Sequence, residues 1–202
     1  TCFSNTGQSC NAPTRMLVEH NLYQKALIQA KEAGEKVLVD KSNKPGPHIG
    51  PVVSAAQYQR VQDLIQAGID EGAKLLIGGT GKPEGLEEGF FVKPTIFYDV
   101  TPQMRIFKEE VFGPVLCMMP FETEEMAIHL ANQTEYGLTN YIQSQCSERC
   151  ARVSRALESG MVEVNGRKLP RGSFFGGVKH SGYAREGCHW GIEEFLYSKA
   201  IS

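Results

Sequence analysis

Apolar residues along the chain follow two patterns, one that recurs about every 3.6 residues and one that forms short continuous runs. The helical spacing appears in four segments, which begin near Asn21, Ser54, Thr123 and Ser147. The short runs predict strands at Arg15–Glu19, Lys74–Ile77, Val115–Phe121, Leu138–Ile142 and Met161–Val164. A longer aromatic run, Phe90–Val100, also has strand character, although Pro94 lies inside it.

Helices and apolar strands alternate through the second half of the chain. This alternation is typical of parallel strands joined by helical crossovers. It predicts an α/β fold with a mainly parallel, twisted sheet and helices on both faces. No internal repeat, low-complexity tract or clear boundary divides the sequence, so we predict a single domain over residues 1–202.

The overall composition excludes several classes of function. The 202 residues are 41% hydrophobic and 22% charged, as in an ordinary globular domain. The net charge of −2, without a block of like charge, argues against a nucleic-acid surface. No apolar run reaches the length of a membrane span, and no signal peptide opens the chain. We therefore predict a cytoplasmic protein with no membrane or nucleic-acid partner.

Six cysteines in 202 residues are too few for a disulfide scaffold. The Cys146-x-x-x-Cys150 spacing has no second pair of cysteines or histidines nearby, so no metal site is predicted. Five of the six are expected to be reduced thiols, mostly packed in the protein: Cys2, Cys117, Cys146, Cys150 and Cys188.

The sixth cysteine lies between a glycine-containing turn and a segment that can form a short helix. Gly7 allows a sharp turn, Ser9 is a favourable helix cap, and Pro13 is tolerated in a first helical turn. This pattern predicts that Cys10 lies at the positive end of a helix, where a thiolate is stabilised. Cysteine is also commonly a small buried residue, so the local sequence leaves both possibilities open.

The segment Phe3–Cys10, FSNTGQSC, followed by Arg15, resembles the nucleophile segment of the aldehyde dehydrogenase superfamily. The resemblance implies that Cys10 is the catalytic nucleophile and that Asn5 lies near the substrate. The segments Thr134–Leu138 and Ser159–Asn165 also resemble family segments in the expected order.

A second motif, Lys108–Pro114, reads KEEVFGP, in which two adjacent acids precede an aromatic residue, a glycine and a proline. In isolation this is a polar turn before a strand, with solvated carboxylates. It resembles the Glu-x-Phe-Gly-Pro motif of the same family, which implies that Glu110 holds the nicotinamide-ribose hydroxyls and that Phe112 packs near the nicotinamide. A carboxylate suits a diol because it accepts two hydrogen bonds. The resemblance also places Gln57 near the cofactor.

A third motif, Ser173–Gly187, resembles the family's Pro-Phe-Gly-Gly-x-Lys-x-Ser-Gly-x-Gly-Arg-Glu segment. It implies that Phe175 lies near the aldehyde tunnel. Two positions depart from the family pattern, since Phe174 stands where proline is usual and Ala184 where glycine is usual.

Together these motifs imply the catalytic, C-terminal domain of an NAD(P)+-dependent aldehyde dehydrogenase. The reaction implied is oxidation of an aldehyde to a carboxylic acid through a cysteine thiohemiacetal and thioester, with NAD or NADP as cofactor. The family's N-terminal dinucleotide-binding domain and its Glu-Leu-Gly-Gly general-base motif have no match in the chain. We therefore expect little activity from these 202 residues alone.

Two other functions remain open at this level. One is a CoA-acylating aldehyde dehydrogenase domain, in which CoA rather than water accepts the acyl group. The other is a non-catalytic fragment that serves as an assembly module. The chain end, Glu193–Ser202, resembles the family's approach to its oligomerisation strand, which implies a homo-oligomer for the full-length protein.

Overall fold

The computed structural model describes all 202 residues. Ten strands are present: β1 (Arg15–Glu19), β2 (Leu38–Val39), β3 (His48–Ile49), β4 (Lys74–Ile77), β5 (Thr95–Tyr98), β6 (Val115–Phe121), β7 (Tyr136–Gly137), β8 (Thr139–Ile142), β9 (Met161–Val164) and β10 (Val178–Lys179). Six α-helices accompany them: α1 (His20–Glu35), α2 (Ala55–Asp70), α3 (Arg105–Lys108), α4 (Glu124–Asn132), α5 (Ser147–Ala156) and α6 (Cys188–Glu193). A 3₁₀ turn, Ser4–Gly7, precedes them.

The largest sheet has four strands in the order β1-β6-β5-β4. Strands β1, β6 and β5 run parallel, and β4 pairs antiparallel with β5. The two-stranded pairs β2–β3 and β8–β9 are also parallel, whereas β7–β10 is antiparallel. The predicted α/β class with a mainly parallel sheet is confirmed.

Helix α1 packs on the four-stranded sheet, although Leu22, which the helical spacing places inward, is 51% exposed and Tyr23 is buried instead. Tyr23 and Leu27 are buried there against Val18, Ile96 and Met118. The Tyr23 hydroxyl donates to the Met118 carbonyl at 3.2 Å and accepts the Asp99 N–H at 2.9 Å. The helix is thereby fixed to two neighbouring strands by hydrogen bonds as well as by apolar packing.

Two predicted boundaries differ from the structure. The aromatic run at residues 90–100 forms a strand only after Pro94, at Thr95–Tyr98, because proline cannot donate to a sheet ladder. Helix α5 is capped by the Cys146 sulfur, which accepts the Arg149 N–H, and not by Ser147 as the sequence predicts.

The chain divides into two compact units, Thr1–Ala127 and Ile128–Ser202. The division falls inside α4, where no change in composition signals it. The single domain expected from the sequence stays a prediction. None of the helices has both the length and the apolar character that crossing a membrane requires.

Candidate active site

The 3₁₀ turn before Cys10 contains unusual backbone geometry. Asn5 and Thr6 have φ angles of 52° and 56°, in the left-handed region that a β-branched residue such as threonine rarely adopts. The buried Thr6 hydroxyl donates to the Gly50 carbonyl at 3.1 Å, and the Asn5 amide donates to the Gln8 carbonyl at 2.8 Å. These bonds hold a strained turn directly ahead of the cysteine.

The short helix predicted after Cys10 is absent, so that prediction is wrong. Cys10 lies in a turn closed by the Ala12 N–H and the Ser9 carbonyl at 2.9 Å. The Ser9 hydroxyl donates to the Asn11 side chain at 2.9 Å rather than capping a helix. The chain then continues extended, and the Thr14 carbonyl accepts the Cys117 N–H. The Cys10 thiol is therefore not at a helix terminus, but it is exposed.

The Cys10 segment lies directly against the segment that carries Glu110. Gly7 has a φ of +69°, and a Cβ at this position would overlap the Gly113 carbonyl. Gly113 is equally crowded, since a Cβ there would lie 2.7 Å from a methyl of Val61. Only glycine allows this approach of two backbones. Cys10 lies three residues after Gly7, and Glu110 three residues before Gly113.

Helix α2 joins both segments at its N-terminal end. Its Ser54 cap accepts the Gln57 N–H at 3.2 Å, as expected for a serine at this position. One residue earlier, the Val53 N–H donates to the side-chain oxygen of Gln8 at 2.9 Å. The Gln57 amide nitrogen donates to the carbonyls of Val111 and Phe112 at 3.0 and 2.9 Å.

The two adjacent acids of the second motif have different surroundings. Arg105 holds the Glu109 carboxylate with two bonds of 2.6 and 3.3 Å, and this hydrogen bonding lowers the pKa of Glu109. Arg60 lies 4.0 Å from the same carboxylate and donates to the Glu110 carbonyl at 3.0 Å. Glu110 is exposed and forms no ion pair. Its carboxylate can thus accept hydrogen bonds from a ligand.

Sequence reasoning found Gln57, Glu110 and Phe112 but missed the two arginines. Arg60 follows Gln57 by three residues, which places both on one face of α2. This three-residue spacing is the feature of the sequence that could have pointed to Arg60. The structure brings Gln57, Glu110 and Phe112 together with the Cys10 segment in one unit. Their individual roles stay predictions, as does the role of Asn5.

The remaining cysteines are less accessible or differently engaged. Cys2, Cys117 and Cys150 are buried, and burial raises the pKa values of Cys2 and Cys117 to about 12. Cys146 is exposed, but its sulfur caps α5. No group of three or more His, Cys, Asp or Glu side chains is placed to hold a metal ion.

Phe175 belongs to the other unit, where it forms an isolated antiparallel bridge with Glu186. Its N–H and carbonyl both pair with Glu186, at 2.8 and 2.7 Å, and 38% of Phe175 is exposed. The neighbouring Phe174 ring lies 4.8 Å below the Arg185 guanidinium, which also donates to the Gly177 carbonyl at 2.7 Å. Phe174 is one of the two departures from the family motif. Its contact with Arg185 stabilises the Phe175–Glu186 bridge. A substrate role for Phe175 stays a prediction.

Comparisons with known proteins agree with these motifs. The chain is 46% identical, over its whole length, to 3-succinoylsemialdehyde-pyridine dehydrogenase from a Pseudomonas species, and spans 42% of that protein. An aldehyde dehydrogenase structure from Bartonella henselae matches with a TM-score of 0.98 and 63% identity, covering 100% of this chain and 42% of that one.

A cysteine-to-alanine mutant of aldehyde dehydrogenase C from Pseudomonas syringae, solved in complex with NAD+ and octanal, matches with a TM-score of 0.96. The identity is 41%, covering 99% of this chain and 41% of that one. The family model described as "Aldehyde dehydrogenase family" matches residues 1–201. The chain spans less than half the length of these relatives, and it belongs to the aldehyde dehydrogenase family.

Proposed function

We propose that this chain is the catalytic part of an NAD(P)+-dependent aldehyde dehydrogenase, with Cys10 as its nucleophile. The observation that carries the proposal is the glycine-to-glycine approach of Gly7 and Gly113. This approach places the segment that carries the exposed Cys10 thiol against the segment that carries the exposed, unpaired Glu110 carboxylate. The Pseudomonas syringae relative, solved with NAD+, octanal and one cysteine replaced, supports this assignment.

In the proposed reaction the Cys10 sulfur bonds to the aldehyde carbon, and the carbonyl oxygen becomes the hydroxyl of a thiohemiacetal. Loss of a hydride and a proton converts this intermediate into a thioester on the same sulfur. Water then attacks the thioester carbon, which releases the carboxylic acid and returns the thiol to Cys10. The exposure of Cys10 supports the first step, because an aldehyde must reach the sulfur.

The residues near Glu110 fit a nicotinamide dinucleotide, which supplies the hydride acceptor when bound. Glu110 offers a carboxylate to ribose hydroxyls, and it is available because Arg105 engages Glu109 instead. Phe112 offers an aromatic ring on the same loop. Both amide hydrogens of Gln57 are occupied by loop carbonyls, so any bond from Gln57 to the cofactor uses its oxygen.

Selective alkylation tests the assignment of the nucleophile. We expect iodoacetamide at neutral pH to label Cys10 at least tenfold faster than any other cysteine in the native chain, with peptide mass spectrometry locating the adduct. Cys146→Ser is the matched control, since Cys146 is the other exposed thiol. Faster labelling of Cys146 or of a buried cysteine contradicts the assignment, and so does unchanged labelling of a Cys10→Ser variant.

A further inference from the structure

The loop at residues 109–113 carries Glu110, the proposed ligand of the cofactor ribose. Three successive backbone carbonyls of this loop accept hydrogen bonds from two side chains of helix α2. Arg60 donates to the Glu110 carbonyl at 3.0 Å, and Gln57 donates to those of Val111 and Phe112 at 3.0 and 2.9 Å. None of the three carbonyls accepts a backbone N–H. We name these two side chains, Gln57 and Arg60, the α2 clasp.

The loop needs an external support of this kind. Phe112 has a φ of 52°, which costs a non-glycine residue conformational energy unless surrounding contacts fix it. Backbone hydrogen bonds hold the chain only on either side of the three carbonyls. The Glu109 N–H donates to the backbone carbonyl of Arg105, and the Val115 N–H donates to the backbone carbonyl of Gly113, both at 2.8 Å. The clasp therefore helps to orient the residues between these two points, together with the burial of Val111 and the contact of Gly113 with Gly7.

Arginine has a geometric reason to occupy position 60. The terminal nitrogen of its planar guanidinium holds two N–H groups in a fixed plane, whereas a lysine ammonium rotates at the end of a flexible stem. The Arg60 nitrogen that binds the Glu110 carbonyl also lies 4.0 Å from the Glu109 carboxylate. Arg105 binds both oxygens of that carboxylate, at 2.6 and 3.3 Å. Glu109, and not Glu110, is thereby the acid that faces the two arginines.

A ligand-binding role for Arg60 in the cavity of about 390 Å³ beside it is less favoured. Arg60 and Arg105 line that cavity, but Asp63 lines it too, and Glu109 pairs with Arg105. The two positive charges are therefore matched by two carboxylates, which leaves no excess of positive charge for an anion.

We propose that Gln57 and Arg60 are positioning residues, which fix the backbone at Glu110–Phe112 so that the Glu110 carboxylate meets the cofactor ribose already oriented. The consequence for cofactor binding rests on the proposed function, whereas the effect on the loop does not. In this role Arg60 acts through Glu110, whose backbone carbonyl it binds. A pre-oriented group binds more tightly because less conformational entropy is lost.

The first test measures the loop in the 202-residue chain without any ligand. The backbone ¹⁵N order parameter of Val111, whose N–H shares a peptide plane with the Glu110 carbonyl, is expected near 0.85 in the native chain and below about 0.6 in Arg60→Met. Arg60→Lys keeps the charge and is expected to resemble Arg60→Met, because the planar geometry is lost. Gln59→Ala is the control, since Gln59 bonds only to Asp63 on the same helix. An unchanged order parameter in Arg60→Met overturns the proposal.

The second test uses the full-length protein that carries this chain. Arg60→Met is expected to raise the KM for NAD+ about fivefold while kcat and the KM for the aldehyde change less than twofold, because binding is weakened before the chemical step. In a Glu110→Gln background the same substitution is expected to have no further effect on that KM. An equal effect in both backgrounds overturns the positioning role.

The two tests separate the two proposals. If the native full-length protein reduces no NAD(P)+ with any aldehyde, the proposed function fails, and the order parameter alone decides whether the α2 clasp fixes the loop. If turnover is normal and the order parameter in Arg60→Met equals that in the native chain, the clasp is refuted and the proposed function stands.

Discussion

Cys10 and Cys117 carry the same functional group in opposite surroundings. Cys117 is buried in β6, where its thiol donates to the Ile106 carbonyl at 3.5 Å, and burial raises its pKa to about 12. Cys2 has a pKa raised to the same value by burial. Cys10 is exposed on a turn next to a strained backbone. Of these thiols, only that of Cys10 is exposed, as its proposed role as nucleophile requires.

The buried thiol of Cys117 predicts a loss of stability at alkaline pH. Its folded pKa of about 12 lies above the ordinary value of 9.0 for a cysteine thiol, so the unfolded chain loses the proton first. The stability that this difference contributes is complete below the unfolded pKa and is lost as pH rises towards 12. We expect the destabilisation caused by Cys117→Ala to shrink by up to about 1.4 kcal/mol per pH unit between pH 9 and 11.

Urea unfolding of the native chain and the variant at several pH values measures this change. Cys146→Ala is the control, because Cys146 is exposed and Cys117 is buried. A Cys117→Ala destabilisation that stays constant from pH 8 to 11 contradicts the prediction.

At the scale of elements, the contact between the first segment and the loop before β6 depends on two glycines. Gly7→Ala is expected to destabilise the protein by about 3–5 kcal/mol, since strain at a positive φ adds to overlap with the Gly113 carbonyl. Gly85→Ala is the matched control, with a similar φ of +75° and no atom within 4 Å of the added Cβ. It is expected to cost only about 1–2 kcal/mol.

Denaturant unfolding of both variants separates strain from overlap. If Gly7→Ala and Gly85→Ala destabilise the protein equally, the close approach does not contribute, and the structural link between Cys10 and Glu110 loses its support. A Gly7→Ala variant with native stability but slower Cys10 alkylation would instead show that the contact affects the site and not the fold.

Elements were predictable where one local signal acts alone. Strands β1, β4 and β6 follow from apolar runs, and the Ser54 cap of α2 follows from residue preference. The prediction of a helix after Cys10 was wrong, although Ser9 and Pro13 favour one, because the Ser9 hydroxyl donates to the Asn11 side chain instead. Such competition between local hydrogen bonds is not visible in sequence.

The candidate site was predictable in its residues but not in its geometry. Motif resemblance pointed to Cys10, Gln57, Glu110 and Phe112. The use of the Gln57 amide to hold the loop, and the part of Arg60 in it, depend on how α2 packs beside residues 109–113. Contacts between segments about 50 residues apart leave no periodic pattern in the chain.

At the scale of the whole molecule, the chain covers 42% of the length of the Bartonella and Pseudomonas relatives. It contains a candidate nucleophile and a candidate ribose-binding carboxylate, and it has no counterpart to the Glu-Leu-Gly-Gly motif of the family. The last step of the proposed reaction, attack of water on the thioester, requires a general base. We therefore propose that residues 1–202 do not supply this base.

The proposed lack of a general base predicts how the 202 residues behave by themselves. With NAD(P)+ and an aldehyde such as octanal, we expect NAD(P)H formation at less than about 1% of the rate of a chimera. In that chimera the chain replaces the matching 42% of the Bartonella henselae aldehyde dehydrogenase. The expected loss reflects the missing general base, which typically contributes 10²–10⁴-fold, and the weaker cofactor binding. Absorbance at 340 nm measures both rates.

The comparison is informative only if the isolated chain is folded and its thiol is reactive. Rapid iodoacetamide labelling of Cys10 in the same preparation supplies that control, because an unfolded chain would also expose Cys117 and Cys150. A Cys10→Ser chimera is expected to be inactive, which links the restored turnover to this sulfur. Turnover by the isolated chain at the rate of the chimera would show that the base lies within residues 1–202, and the proposed mechanism would then have to assign it to one of them.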